Sequence, residues 1–276
     1  MQKKILLPTD FSDNAWNAII YALKLYANET CYFYLLNSIK IKGSTMSNFS
    51  SKLSSTIRKS AFKDMLDLKQ MIERVNANAN HNFEILVSNA DLKDALETAI
   101  KKHTIQLIIM GTKGASGAKE FFFGSNTVNV INKVRLCPIL TIPNQFDFVE
   151  PKKIAFSTDF NRLYKEEELA PLKEITDLYN SEINIVHLNN EEHLNEVQEY
   201  NSKVLENDLK DYNHHFFWIP NYGKKANDIN DFIKEQNINM LAMVNYKHSF
   251  IEKITKEPVI KTIGFQPFIP FLVIPE

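Results

Sequence analysis

The chain has 276 residues, of which 44% are hydrophobic, and a formal net charge of −1. That length suits two α/β units better than one and supplies apolar residues for sizeable cores. A charge so near zero leaves no footprint for nucleic acid or an anionic membrane, and no apolar run is long enough to span a bilayer.

In chain order, Lys4–Leu7 opens as a buried strand and runs into Pro8-Thr9-Asp10-Phe11-Ser12. Ser12 is placed to cap a helix whose apolar face is Ala15, Ile19, Ala22, Leu23 and Tyr26. Cys31–Leu36 reads as a second strand, and the Ser-rich residues 41–55 with Gly43 read as a mobile loop. A long helix follows, with Ile57, Met65, Leu68, Ile72 and Val75 inward, then strand three at Phe83–Val87. Asp91 starts a helix that aligns Leu92, Ala95, Leu96, Ala99 and Ile100; strand four is Leu107–Met110. A helix is expected over Ser125–Arg135, with Val128, Ile131 and Val134 at helical spacing, and a fifth strand over Cys137–Pro143. Alternating strands and helices argue an α/β fold with a parallel, doubly wound sheet.

The pattern then restarts. Lys3–Phe11 is echoed by Lys152–Phe160, and Pro138–Pro143 by Pro270–Pro275. Strands at Ile183–Leu188, Phe216–Ile219 and Met240–Val244, with helices near 163–179, 191–212 and 225–236, complete a second copy. Two tandem domains, 1–146 and 151–276, account for this.

Four of the seven glycines, Gly111, Gly114, Gly117 and Gly124, fall between strand four and the next helix. Glycine lets backbone N–H groups approach an anion, and a helix N-terminus adds partial positive charge. The end of a strand in an open α/β sheet is also where ligands bind. The loop is not repeated. Setting Met110-Gly111 against Val244-Asn245 puts His248 opposite Gly114 and Pro258-Val259 opposite Gly124-Ser125.

The opening Lys4–Ser12, the G-x2-G-x9-G-S run at 111–125 and the closing Cys137–Pro143 resemble the universal stress protein family, along nearly the whole chain. The resemblance implies tandem domains, each a five-stranded parallel sheet flanked by helices, forming an internal pseudo-dimer and leaving a further homodimer open. It also implies a stress-response regulator that binds ATP, with or without Mg²⁺, in the first domain; with no long apolar run and only a phosphate cradle readable, a cytoplasmic location and slow or absent hydrolysis are expected. Carried over by position, Asp10 approaches the adenosine end with Pro8 and Thr9 beside it, and Ser38 stands where backbone reads adenine. Met110, Gly111 and Gly114 line ribose and phosphates; Gly124, Ser125 and the Asn126 backbone match the triphosphate cradle. The second domain keeps Asp159 and is expected to hold no nucleotide, Pro258 lacking an N–H.

Plainer readings stand beside these. Glycines after a strand also make tight turns, and Asp10 also reads as a helix cap, as does Asp159. Lys113 and Lys119 read first as solvated loop lysines, and Phe121-Phe122-Phe123 as packing beneath the loop. His214-His215 is a weak metal signal, because adjacent strand residues face opposite sides. Lys165–Glu168 reads as a solvated helix start. Cys31 and Cys137 read as buried free thiols. The N-terminal residues lack the apolar core and cleavage site of a signal peptide. No Walker A sequence, catalytic triad or zinc spacing is present. Two other functions stay open: an interaction module without nucleotide, acting through its dimer surface, and an ATP-using enzyme on a related fold.

Overall fold

The structure, a computed structural model, describes residues 2–39, 47–113, 123–189, 194–220, 225–246 and 268–276. The chain divides into two compact units, with the break between Phe148 and Val149.

In the first unit the order is β1 (Lys3–Pro8), α1 (Asp13–Leu25), β2 (Cys31–Ser38), α2 (Ser47–Val75), β3 (His81–Ser88), α3 (Leu92–His103), β4 (Leu107–Gly111), α4 (Ser125–Lys133) and β5 (Ile139–Ile142). The strands lie in the order β3-β2-β1-β4-β5, and every pairing between them is parallel. Ile5, Leu6 and Leu7 are fully buried, as a strand covered by helices on both faces requires. Right-handed crossovers place α1 and α2 on one face and α3 and α4 on the other. Ser12 caps α1, its Oγ accepting from the Ala15 N–H at 3.2 Å.

The second unit repeats the scheme. It contains β6 (Lys153–Thr158), α5 (Glu166–Tyr179), β7 (Glu182–Asn189), α6 (Glu196–Asp208), β8 (His214–Pro220), α7 (Lys225–Glu235), β9 (Met240–Asn245) and β10 (Phe271–Pro275). Its order is β10-β9-β6-β7-β8, again all parallel, so strand for strand it matches the first unit.

Several expectations are corrected here. Residues 47–55 are helix, the first turns of α2. The recurrence of Phe49, Leu53 and Ile57 at a spacing of four outweighs the serines between them. The register also moves the alignment of the two copies by one residue. Ile5 pairs with Leu107 where Ile154 pairs with Met240, so the counterpart of Gly111 is Val244 and that of Thr112 is Asn245. A one-residue slip turns every side chain to the opposite face, which makes this shift consequential. His248, Pro258 and Val259 lie outside the described residues.

Neither Asp10 nor Asp159 caps a helix. Asp10 Oδ1 accepts from the N–H of Ser12, and Asp159 Oδ1 from that of Asn161, so each closes a short turn beyond its strand. Thr9 and Thr158 complete the same turn, each hydroxyl accepting from the N–H of the following Phe at 3.0 Å. These bonds hold Phe11 (φ 63°) and Phe160 (φ 54°) in the left-handed region, which costs a non-glycine residue about 1–2 kcal/mol. Cys31 and Cys137 are buried free thiols, and burial pushes Cys137 up to about 12.

Candidate functional site

In a parallel sheet of this order the connections leave β1 and β4 in opposite directions, which leaves a crevice beyond the C-terminal ends of these strands. A cleft opens there in the first unit, with about 540 Å³ of space including open solvent. Pro8, Ala15, Leu92 and Met110 form its apolar walls. Thr9, Asp10, Ser38, Lys113, Asn126 and Thr127 supply the polar groups, and Gly111 forms part of the lining. Seven of the ten residues expected from the sequence thus meet in one cleft. Gly114 lies outside the described residues, and Gly124 and Ser125 stand at the start of α4 beside Asn126.

Hydrogen bonds fix the cleft's rim. Asp10 Oδ1 accepts from the Ser12 hydroxyl at 2.6 Å, which orients the carboxylate against the start of α1. The Ser38 hydroxyl donates to Ala90 O at 2.7 Å and ties the end of β2 to the turn before α3. Asn37, the polar departure beside it, is buried and donates to Thr9 O at 2.8 Å. At the start of α4 the first intrahelical bond runs from the Val128 N–H to Gly124 O. The N–H groups of Ser125, Asn126 and Thr127 therefore have no partner within the helix.

The residue that sequence reasoning missed is Asn14. It is buried in the first turn of α1, and its Oδ1 accepts from the Lys113 N–H at 2.7 Å while its Nδ2 donates to Ile142 O at 3.2 Å. One amide thus joins α1, the end of β5 and the first residue of the loop. A Cβ at Gly111 would lie 2.7 Å from the Asn14 side chain and 2.9 Å from its carbonyl oxygen. Gly111 is glycine because helix α1 comes this close. Buried Thr127 closes the other end of the loop, donating to Gly111 O and Thr112 O, each at 3.1 Å. The Gly124 N–H donates to Thr112 O at 2.7 Å, so that amide serves the loop's own closure. Gly124 has φ −62° and ψ 152°, angles open to any residue, so its backbone does not require glycine. A polar residue one turn into α1, facing a strand-end glycine, was the available signal.

The family model "Universal stress protein family" matches residues 1–143. The chain belongs to that family. A universal stress protein of Methanocaldococcus jannaschii, MJ0577, is 28% identical over 159 residues, covering 51% of this chain and 95% of that protein. The crystal structure of a universal stress protein from Archaeoglobus fulgidus matches with a TM-score of 0.67 at 16% identity, covering 99% of this chain and 96% of that one. A functionally unknown protein from Pseudomonas aeruginosa matches with a TM-score of 0.61 at 12% identity, covering 99% and 92%. At these identities the two structures speak for the fold alone.

In the second unit of this universal stress protein, side chains occupy the corresponding crevice. The Tyr164 hydroxyl donates to Thr158 Oγ1 at 2.7 Å, and the Tyr246 hydroxyl hydrogen-bonds Asp159. Thr158 and Asp159 are the counterparts of Thr9 and Asp10. The Arg162 guanidinium lies over both rings, 5.3 Å from the centre of Tyr164 and 5.2 Å from that of Tyr246. It also donates to both carboxylate oxygens of Glu168 at 2.8 and 2.9 Å. Burial, foremost, raises both tyrosines above their ordinary value. Glu168 corrects the picture of a solvated helix start. It is 3% exposed and accepts from the Lys165 N–H at 2.7 Å as well as from Arg162.

Phe121, Phe122 and Lys119 lie outside the described residues, and Phe123 is half-buried. Among the described residues, no three His, Cys, Asp or Glu side chains gather as metal ligands, and no helix is long and apolar enough to cross a membrane.

Proposed function

We propose that the first unit binds one ATP per chain in the cleft between β1 and β4, and that the protein acts as a nucleotide-dependent regulator in a stress response. The observation that carries this is a difference between the units. Pro8, Thr9, Asp10, Ser38, Met110 and Gly111 line an open cleft, whereas Tyr164, Tyr246 and Arg162 occupy the matching place in the second unit.

In this reading the adenosine end lies against Pro8, Thr9, Asp10 and the Ser38 backbone. The triphosphate runs past Met110 and Gly111 toward Gly114, Gly124, Ser125 and Asn126. The start of α4 and Lys113 supply positive potential for it. A Mg²⁺ ion would be held mainly by phosphate oxygens and water, with Asp10 the carboxylate lining the cleft. Hydrolysis is slow or absent, because phosphoryl transfer needs an oriented nucleophile beyond a cradle. The domain limits 1–146 and 151–276, the cytoplasmic location and an internal pseudo-dimer built on the two closing strands belong to the same reading.

Isothermal titration calorimetry of the full chain with ATP tests the proposal, with AMP and cyclic AMP as competitors. The expected result is one site per chain that prefers the triphosphate. Two equivalent sites, or no heat of binding with any adenine nucleotide, would overturn it.

A further inference from the structure

A second, wider groove lies in the first unit between the start of α1 and the middle of α2, with about 1280 Å³ of space including open solvent. Phe11, Trp16, Leu68 and Met71 make its apolar part, and Phe11 and Met71 are 44% and 47% exposed. Asp13 from α1, with Asp64 and Asp67 from α2, stands around that surface. Asp64, Asp67, Leu68 and Met71 share one face of α2, since residues three, four and seven apart align on a helix. Among the described residues, no lysine or arginine lines the groove. None of the three carboxylates has an ion-pair partner among the described residues.

The second unit shows what the same place looks like when the chain itself completes it. There Phe160 is 1% exposed, stacked on His187 with ring centres 4.9 Å apart and flanked by Trp218 at 6.0 Å. Helix α6 turns amide donors onto the turn. Gln198 Nε2 donates to Asp159 O at 3.0 Å, and Asn201 Nδ2 to Phe160 O at 2.8 Å. In the first unit the turn is built from the same bonds and Phe11 holds the same left-handed backbone. Yet the polar α2 side chains lining the groove there, Asp64 and Asp67, are carboxylates, which accept and do not donate. Among the described residues, Phe11 has neither the amide donors nor the aromatic cover that the second unit supplies from within.

We propose that this groove docks a segment of a partner protein that carries Arg or Lys around an aliphatic or aromatic anchor. The cationic groups meet Asp13, Asp64 and Asp67, and the anchor covers Phe11, Trp16 and Met71. Carboxylates from two helices set around an apolar floor match a cationic segment with an apolar anchor in charge and polarity. The groove's charge repels phosphate-bearing surfaces. Thr9 lines both this groove and the cleft, so the docking turn is shared with the candidate nucleotide site, although docking itself does not depend on nucleotide.

The test uses the full chain carrying Trp218→Phe, which leaves Trp16 as the only tryptophan of the two. It is titrated without nucleotide with a synthetic amphipathic Arg/Leu peptide, with Arg/Ser and Glu/Leu peptides of equal length as controls. A saturable change in Trp16 emission with the Arg/Leu peptide alone is expected. Affinity should fall at least about tenfold in the Asp64→Asn/Asp67→Asn variant, whose substitutions are isosteric and exposed and whose folding circular dichroism verifies. Any of four results would overturn the proposal: no saturable change, undiminished affinity in that variant, equal binding of Arg/Ser or Glu/Leu peptide, or a concentration-dependent Trp16 change without peptide, which would mark self-association.

Discussion

The two units start from the same turn and finish it differently. In each, a Thr hydroxyl and an Asp carboxylate hold a Phe at positive φ just beyond the first strand. The first unit then enters its helix at once, with the cap Ser12 two residues after Asp10. The second unit delays, with the N-cap Lys165 six residues after Asp159. The four added residues, Asn161–Tyr164, include two of the three side chains that occupy its crevice. A crevice beyond the ends of the first and fourth strands of each unit is a property of the fold. Among the described residues of the second unit, Tyr164 and Tyr246 bond the counterparts of Thr9 and Asp10, and Val244 stands where the first unit has Gly111.

The largest expected effect comes from breaking the filling. Arg162→Ala leaves Glu168 buried with its principal counter-charge gone, and also strips the cover from Tyr164 and Tyr246. Removing one partner of a buried pair costs about 3–5 kcal/mol. Urea unfolding followed by Trp218 fluorescence should show that loss in the second unit, with ATP stoichiometry unchanged at one. If the variant instead gains a second ATP site, filling alone had silenced the second unit, and the missing glycine loop is irrelevant.

The glycines sharpen the comparison next. Gly124→Val should weaken ATP binding about 100-fold, or about 2.7 kcal/mol, by placing a branched side chain where the phosphates enter. Its backbone is unstrained, so stability should fall only by the ~1 kcal/mol of a poorer helix cap. Gly111→Val differs, because the new side chain strikes Asn14; thermal unfolding should reveal a further loss of roughly 1–3 kcal/mol. Val244 already stands at this position in the second unit, whose helix α5 contains no asparagine. Full ATP affinity in folded Gly124→Val would mean that the loop is only a turn.

Much of this was legible in the sequence, and the exceptions have causes. The buried runs Ile5–Leu7 and Leu107–Met110 gave the parallel strands, and the echo of Lys3–Phe11 in Lys152–Phe160 gave the tandem repeat. Those are local, periodic signals. The cleft residues came by position from the family resemblance, and seven of them gather because the ends of β1, β2 and β4 border one crevice. The role of Asn14 was hidden, since its partners Lys113 and Ile142 are distant in sequence and nothing in the residue type says which backbone it will meet. Glu168 was misread because an acidic run at a helix start is usually solvated, and only the neighbouring Arg162 makes burial affordable. The alignment slipped by one residue because it was anchored on the glycine loop, not on strand register.

Asn14→Ala measures what joins the cleft's rim to the core. The substitution removes the acceptor of the Lys113 N–H and a donor to Ile142 O. Ile142 O keeps the Thr112 N–H at 3.0 Å, so the stability cost should be modest, roughly 1–2 kcal/mol. ATP affinity should fall about tenfold through a loosened loop entry, a factor worth about 1.4 kcal/mol. Asn14→Asp retains the acceptor and should recover most of the affinity for the loop contact, while losing the donor to Ile142 O. Unchanged ATP affinity in a folded Asn14→Ala protein would separate this knot from the site.

The smallest effect at neutral pH, and the most specific to the second unit, concerns the hydroxyls of Tyr164 and Tyr246. Both are raised above the ordinary tyrosine value, first by burial and also by the Asp159 charge nearby. A group whose folded pKa is raised contributes stability that is fully present below the unfolded pKa and is lost as pH rises through the folded one. Between pH 7 and 9 both states keep these protons, and the urea midpoint should be flat with respect to them. Above about pH 10 the unfolded chain releases them while the folded unit resists, so stability should fall with rising pH. Tyr246→Phe removes one hydroxyl and its bond to Asp159, costing about 1 kcal/mol or less at pH 7. It should also make the alkaline decline of the second unit shallower, because one proton no longer differs between the states. A decline of unaltered slope in Tyr246→Phe and Tyr164→Phe alike would show that these hydroxyls are solvated, and that the crevice they occupy stands open like its counterpart.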